Sequence, residues 1–130
     1  APVDALDKIP CDVQWAVSVY PAYLLTDDDY GKNTTGGNGD GVRLLPDMSF
    51  DLKTCPILFL HGDADGVSAM GSVKCWEQLR RMGVQGDLHA YATYGHCFYY
   101  SAAPSTGAYT WLDRIWEFLN HKRLNVGPCP

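Results

Sequence analysis

Positive charge is scarce in this sequence. Across 130 residues, Lys and Arg number 10 against 15 Asp and Glu, a formal net charge of -5. Nucleic-acid phosphates are held by a basic stripe, so this balance excludes a nucleic-acid partner from the expectations. Long apolar runs are missing as well. Pro56 to Leu60 (PILFL) falls far short of the ~20 residues that cross a bilayer, so no membrane partner is expected. No basic n-region followed by an apolar stretch is present, so no signal peptide is expected to remain. None of the cysteines Cys11, Cys55, Cys75, Cys97 and Cys129 sits in a C-x-x-C pair, which takes support from a zinc or thioredoxin-like reading. Their number is odd, so they cannot all pair within one chain. There is no internal repeat.

What remains is a globular composition, 46% apolar and 19% charged, with a length that suits one compact domain over residues 1–130. The chain begins at Ala1 and not at a methionine, which suggests processing, trimming or an incomplete start. Cys55 and Cys75 read as small buried thiols. Cys97 adjoins His96, but chain neighbours usually point apart, which disfavours a nucleophile beside its base. Cys129 in the Gly127–Pro130 tail is the best candidate for a bond to another segment.

Residues 1–12 read as a lead-in loop. Val13 to Tyr20 (VQWAVSVY) is rich in β-branched and aromatic residues and stops at Pro21, a strand signal. Residues 21–54 form a long loop excursion dense in Gly, Asn and Asp. Pro56 to His61 (PILFLH) is apolar on both faces, as a central strand of a covered parallel sheet should be. From about Ser68 to Met82, Val73, Trp76 and Leu79 recur at helical spacing, with Met82 extending the face and Gly83 in the place of a C-terminal glycine. Asp87 to Ala92 (DLHAYA) is a further strand. Tyr109 to His121 sets Leu112, Ile115, Trp116 and Leu119 on one helical face, and His121, Lys122 and Arg123 close its negative dipole end. Strands alternating with helices imply an α/β fold with a parallel sheet. Three strands make a thin sheet, whose first strand would carry an uncovered hydrophobic edge.

Two loops carry the chemistry. Asp65 lies in the glycine-rich loop leaving PILFLH, and His96 lies just after DLHAYA. Parallel strands end on one side, about 4.8 Å apart, so one crossover brings both loops to the carboxyl edge, where open α/β sheets build their sites. A carboxylate there can accept a hydrogen bond from one imidazole nitrogen, fix its tautomer and leave the other nitrogen as a general base. Asp65 and His96 are therefore the candidate catalytic pair, with Asp63 the competing acid. His61 reads as a hydrogen-bonding strand end, and His89 and His121 as structural or solvated. His61, Asp63 and Asp65 at i, i+2 and i+4 in a glycine loop are unlike a closed zinc site, and Asp27-Asp28-Asp29 reads as a solvated loop. No metal and no cofactor are expected. Trp15, Trp76, Trp111 and Trp116 fit core faces. Tyr23, past the first strand, and Phe98, beside His96, are placed to face the site, where a sugar or aryl ester could stack. Val67 and Met70, after the acid, are candidates to line a pocket.

The stretch LFLHGDADGVSAMGSVKCWEQLRRMGV, followed by DLHAYATYGHCF and a tryptophan-bearing last helix, resembles the carboxyl-terminal half of an α/β-hydrolase. The similarity spans roughly residues 13 to 121. It lies with the esterase branch that includes dienelactone hydrolase-like and acetyl-xylan or feruloyl esterases. It rests on the paired H-G-x-x-D and G-H-x-F motifs. The resemblance implies a three-layer α/β/α fold with parallel strands and serine carboxylesterase activity on small esters or ester-decorated plant polysaccharide. It assigns the acid to Asp65 and the base to His96. It also favours a secreted or periplasmic location, as does the missing methionine. One part of the family pattern is absent: no G-x-S-x-G occurs here. Gly66-Val67-Ser68-Ala69-Met70 matches only its first half and follows the acid. No upstream H-G-G loop is present either, and Gly36-Gly37 has no strand before it. The nucleophile is therefore expected from a companion amino-terminal segment or chain bearing G-x-S-x-G. A serine exopeptidase of the prolyl-oligopeptidase type shares the two motifs and is one alternative. A catalytically dead hydrolase-like binding module is another.

Overall fold

The computed structural model describes residues 13–26 and 43–121. The lead-in loop, residues 27–42 of the 21–54 excursion with Asp27-Asp28-Asp29 and Gly36-Gly37, Cys11, Lys122, Arg123 and Cys129 lie outside the described residues.

Three strands, β1 (Ala16–Val19), β2 (Ile57–Gly62) and β3 (Gly86–Tyr91), pair in parallel in the order β1-β2-β3. The register sets Leu58 against Val17 and Asp87, and Leu60 against Val19 and His89. Successive β2 side chains point to opposite faces, and both faces are filled. Leu58 and Leu60 are fully buried with Phe98, Ala108 and Phe118, while Phe59 is buried on the other side with Cys75, Leu79 and Val84. A run apolar on both faces thus becomes the central strand, as its composition predicts. The class is α/β, a small parallel sheet with helices packed on it.

Helix α1 (Met70–Arg81) follows β2 and turns Ser72, Cys75 and Leu79 inward. Trp76 joins them and ties α1 to the start of β3, donating its indole N–H to the Gly86 carbonyl at 3.2 Å. Met82 caps the helix and is 36% exposed, so the inner face runs through Cys75 and not through Met82. Gly83 follows with φ +75°, a conformation that side chains resist. The expected last helix is split: Gly107–Thr110 forms a 3-10 turn, and α3 spans Trp111–Asn120. A short helix, α2 (Phe98–Ser101), precedes them and had no periodic signal. In the excursion, Leu25 bridges Leu44 in antiparallel fashion.

The apolar stripe of α3 is wider than the sheet beneath it. Trp111, Ile115, Phe118 and Leu119 pack inward. Leu112 is 59% exposed and Trp116 is 68% exposed, which corrects the expectation that both lie on the core face. Glu117 and Phe118 border a cleft with Gln85 and Asp87 at the start of β3. At ~100° per residue, Leu112 and Trp116 lie more than 100° around the helix from Phe118, away from that cleft. Trp15, 38% exposed, also departs from a core position. Among the described residues no helix is long and apolar enough to cross a membrane.

Candidate active site

At the carboxyl ends of β2 and β3 the two chemistry-bearing loops are joined through their backbones. Asp63 N–H donates to the Tyr91 carbonyl and Ala64 N–H to the Tyr94 carbonyl, each at 2.9 Å. The loops approach so closely that only glycine fits at the end of β2. A Cβ on Gly62 would lie 2.2 Å from the Tyr94 carbonyl oxygen and 2.8 Å from that of Gly95.

That contact delivers His96 to Asp65. His96 Nδ1 is 2.9 Å from Asp65 Oδ2, and the carboxylate is buried, 1% exposed, while the imidazole is 49% exposed. The other carboxylate oxygen, Oδ1, accepts the Val67 N–H at 2.9 Å. Both oxygens of the acid are therefore held. With Nδ1–H donated to Asp65, His96 Nε2 carries the lone pair and is the nitrogen free to take a proton. Asp63 is exposed and meets the site only through its backbone, so the pairing selects Asp65 between the two acids. Asp65 and His96, 31 residues apart, are brought together as their motif positions predict.

The lining candidates fare differently. Val67 is half-buried and acts through its main chain. Met70 is 43% exposed at the start of α1, and Tyr23 is 65% exposed with φ 60°. Phe98 is fully buried among Tyr91, Trp111 and Tyr20, so it cannot face a site. Cys97, in a left-handed conformation at φ 58°, turns the chain between His96 and α2 and sends the Phe98 ring into the core.

The aromatic group that does meet the base is Tyr20, the last residue of the run whose composition signals the first strand. Its ring centroid is 4.4 Å from that of His96, and it stacks on Tyr99 at 6.0 Å. The Tyr20 backbone N–H is anchored on the Leu60 carbonyl at 2.7 Å, with φ 38°. Its position just before Pro21, at the carboxyl end of β1, was the available signal.

His61 is the other residue with more to it than its sequence suggests. It is wholly buried, its Nδ1 is 2.9 Å from Ser72 Oγ and its Nε2 is 3.1 Å from the Val67 carbonyl. Burial pushes its pKa below the ordinary histidine value, against smaller upward pulls from the Val67 carbonyl and Asp65. His89 lies 3.6 Å from Asp87 and stacks on Tyr91, a peripheral arrangement. Burial also raises the Cys75 thiol to about 11, which makes it inert at neutral pH. Cys55 and Cys97 are half-buried free thiols.

No family model, curated protein or solved structure matches the chain.

Proposed function

We propose that this chain is the acid–base half of a serine carboxylesterase of the α/β-hydrolase type, acting on small esters or ester substituents of plant polysaccharide. The observation that carries the reading is the 2.9 Å bond between buried Asp65 Oδ2 and half-exposed His96 Nδ1 at the carboxyl edge of a parallel sheet. In this reading the fold is completed to a three-layer α/β/α domain by a companion amino-terminal segment or chain bearing G-x-S-x-G. The absence of that pentapeptide from the 130 residues and the position of β1 at one edge of the sheet both support it.

The chemistry follows from the geometry. His96 Nε2 removes the proton of the companion's serine hydroxyl as the serine oxygen bonds to the ester carbonyl carbon. Asp65 stabilises the imidazolium that results. The imidazolium returns its proton to the departing alcohol as the ester C–O bond breaks, leaving an acyl-serine. His96 then takes a proton from water as hydroxide adds to the acyl carbon, and the imidazolium returns that proton to the serine oxygen as the acyl–serine C–O bond breaks, releasing the acid. Backbone amides outside these residues would hold the oxyanion.

A fluorophosphonate probe with intact-mass analysis tests the division of labour. Label on a companion polypeptide, together with faster turnover of p-nitrophenyl acetate than of a dipeptidyl anilide, is the expected result. Label on the 130-residue chain itself would overturn the proposal. Preference for the anilide would favour the exopeptidase reading, and hydrolysis unchanged in His96→Ala would favour a non-catalytic binding module.

A further inference from the structure

The relay does not end at Asp65. The Val67 main chain is held on both sides of its Cα: its N–H is donated to Asp65 Oδ1 at 2.9 Å, and its carbonyl lies 3.1 Å from His61 Nε2. His61 is in turn 2.9 Å from Ser72 Oγ, and both side chains are fully buried. Hydrogen-bond chemistry fixes the direction of every link. A carbonyl only accepts, so Nε2 must carry the imidazole proton, and Nδ1 of the neutral ring must then accept the Ser72 hydroxyl proton. Asp65 Oδ2 is 3.7 Å from the same Nε2, too long for a direct hydrogen bond. His61 therefore reaches the acid through the Val67 main chain.

We infer that His61 is a positioning residue, which with Ser72 of α1 holds the Val67 main chain so that Asp65 presents Oδ2 to His96. The carboxylate sits in a glycine-flanked loop, and Gly66 has no atom within 4 Å of where its Cβ would be. The Gly66 side of the loop therefore offers no packing to fix the main chain between Asp65 and Val67. The chain Ser72–His61–Val67–Asp65 supplies that constraint from the buried face of α1. A neutral His61 suits the task, because a cation would add a second donor opposite Ser72. The groups facing His61 are Ser72 from α1, the Val67 carbonyl and Asp65 from the loop after β2, and His96 from the loop after β3. The inference rests on the proposed acid–base pairing only for its catalytic purpose; the orientation itself is measurable without substrate.

The readout is the tautomer of neutral His96, taken from 15N chemical shifts of its ring in the full chain. Wild type is expected to hold the proton on Nδ1. His61→Asn keeps an amide near Ser72 but cannot reach the Val67 carbonyl, whereas the longer His61→Gln places an amide N–H near the Nε2 position. In His61→Asn the ratio of Nδ1–H to Nε2–H at His96 should fall about fivefold, the worth of one ordinary hydrogen bond. His61→Gln should restore most of it. A folded His61→Asn with the wild-type tautomer would overturn the inference. Should that variant not fold, Ser72→Ala serves in its place: a fall in the same ratio supports the role, and an unchanged ratio removes it. Wild type lacking the Nδ1–H tautomer would instead overturn the acid–base reading and this inference with it, a result distinct from failure of the His61 arm alone.

Discussion

Around Asp65 the polar atoms are paired link by link, from Ser72 through His61 and Val67 to His96. Along the outer flank of α3 and the 3-10 turn before it the situation is reversed: Tyr109, Leu112 and Trp116, all large and aromatic or apolar, stand 54%, 59% and 68% exposed. The same 130 residues thus contain one region whose geometry is determined from within and another whose large side chains stand mostly in water. A buried polar network costs free energy unless each member is bonded, so the first region has few alternative arrangements. The second region costs little to alter because its surface is already in water. Under the proposed reading, a companion half would give such a surface a cover.

The sharpest break of this comparison is chemical. Under the proposed reading, in which a serine-bearing companion completes the enzyme, Asp65→Asn should lower kcat on the order of 10³- to 10⁴-fold, because His96 loses the partner that fixes its tautomer. Steady-state kinetics with p-nitrophenyl acetate, and circular dichroism to confirm folding, provide the check. Retention of a tenth or more of wild-type kcat would mean the 2.9 Å pairing is not used.

Next in size is the approach of the two loops. Gly62→Ala would drive a Cβ into the Tyr94 and Gly95 carbonyls, neither of which is the end of a flexible side chain. A loss of about 3 kcal/mol in urea unfolding is expected, in the range of overpacked sites. Gly66→Ala, with open space at its Cβ, should stay within about 0.5 kcal/mol. Equal costs for the two glycines would show that loop entropy and not the carbonyl contact sets the effect.

Smaller again is a pH effect from His61. Its folded pKa lies below the ordinary value because burial disfavours the cation. Above about pH 6.5 both folded and unfolded states are neutral and this contribution to stability is complete. As pH falls below that, the unfolded chain binds a proton that the folded chain resists, and stability is lost down to the folded pKa. The difference between wild type and His61→Gln should therefore change by no more than about 1.4 kcal/mol per pH unit, with wild type losing ground towards acid. A wild type that gained on the variant as pH fell would reverse the sign and refute a neutral buried His61.

Much of the described fold is legible in the sequence because its signals are local or fixed by strand geometry. The doubly apolar run around Leu58 to Leu60 marked β2, Gly83 marked the end of α1, and two parallel strands separated by one helix forced Asp65 and His96 to a common edge. What escaped notice depends on contacts between distant residues. Nothing near Phe98 indicates that Cys97 will turn left-handed and bury the ring, and nothing near Tyr20 indicates that it will pack on a histidine 76 residues later. Periodicity locates an apolar stripe on α3 but does not say how much of it the sheet covers. Only the rotation of the helix, set by Phe118 and Ile115 against Leu58 and Leu60, decides that.

That rotation yields the smallest and most discriminating expectation. Trp116 is among the largest apolar side chains in the sequence, and periodicity alone assigns it to the core. Its 68% exposure means that replacing it removes little surface that folding takes out of water. Trp116→Gln should accordingly change unfolding free energy by less than about 0.5 kcal/mol in the isolated chain. Leu58→Ala, by contrast, should cost about 3 kcal/mol, since Leu58 is fully buried and truncation leaves a cavity. Parallel urea titrations of the two variants measure both numbers on one scale. If Trp116→Gln cost as much as Leu58→Ala, the α3 flank would be packed in the isolated chain, and the contrast between a self-determined site and an uncovered flank would disappear.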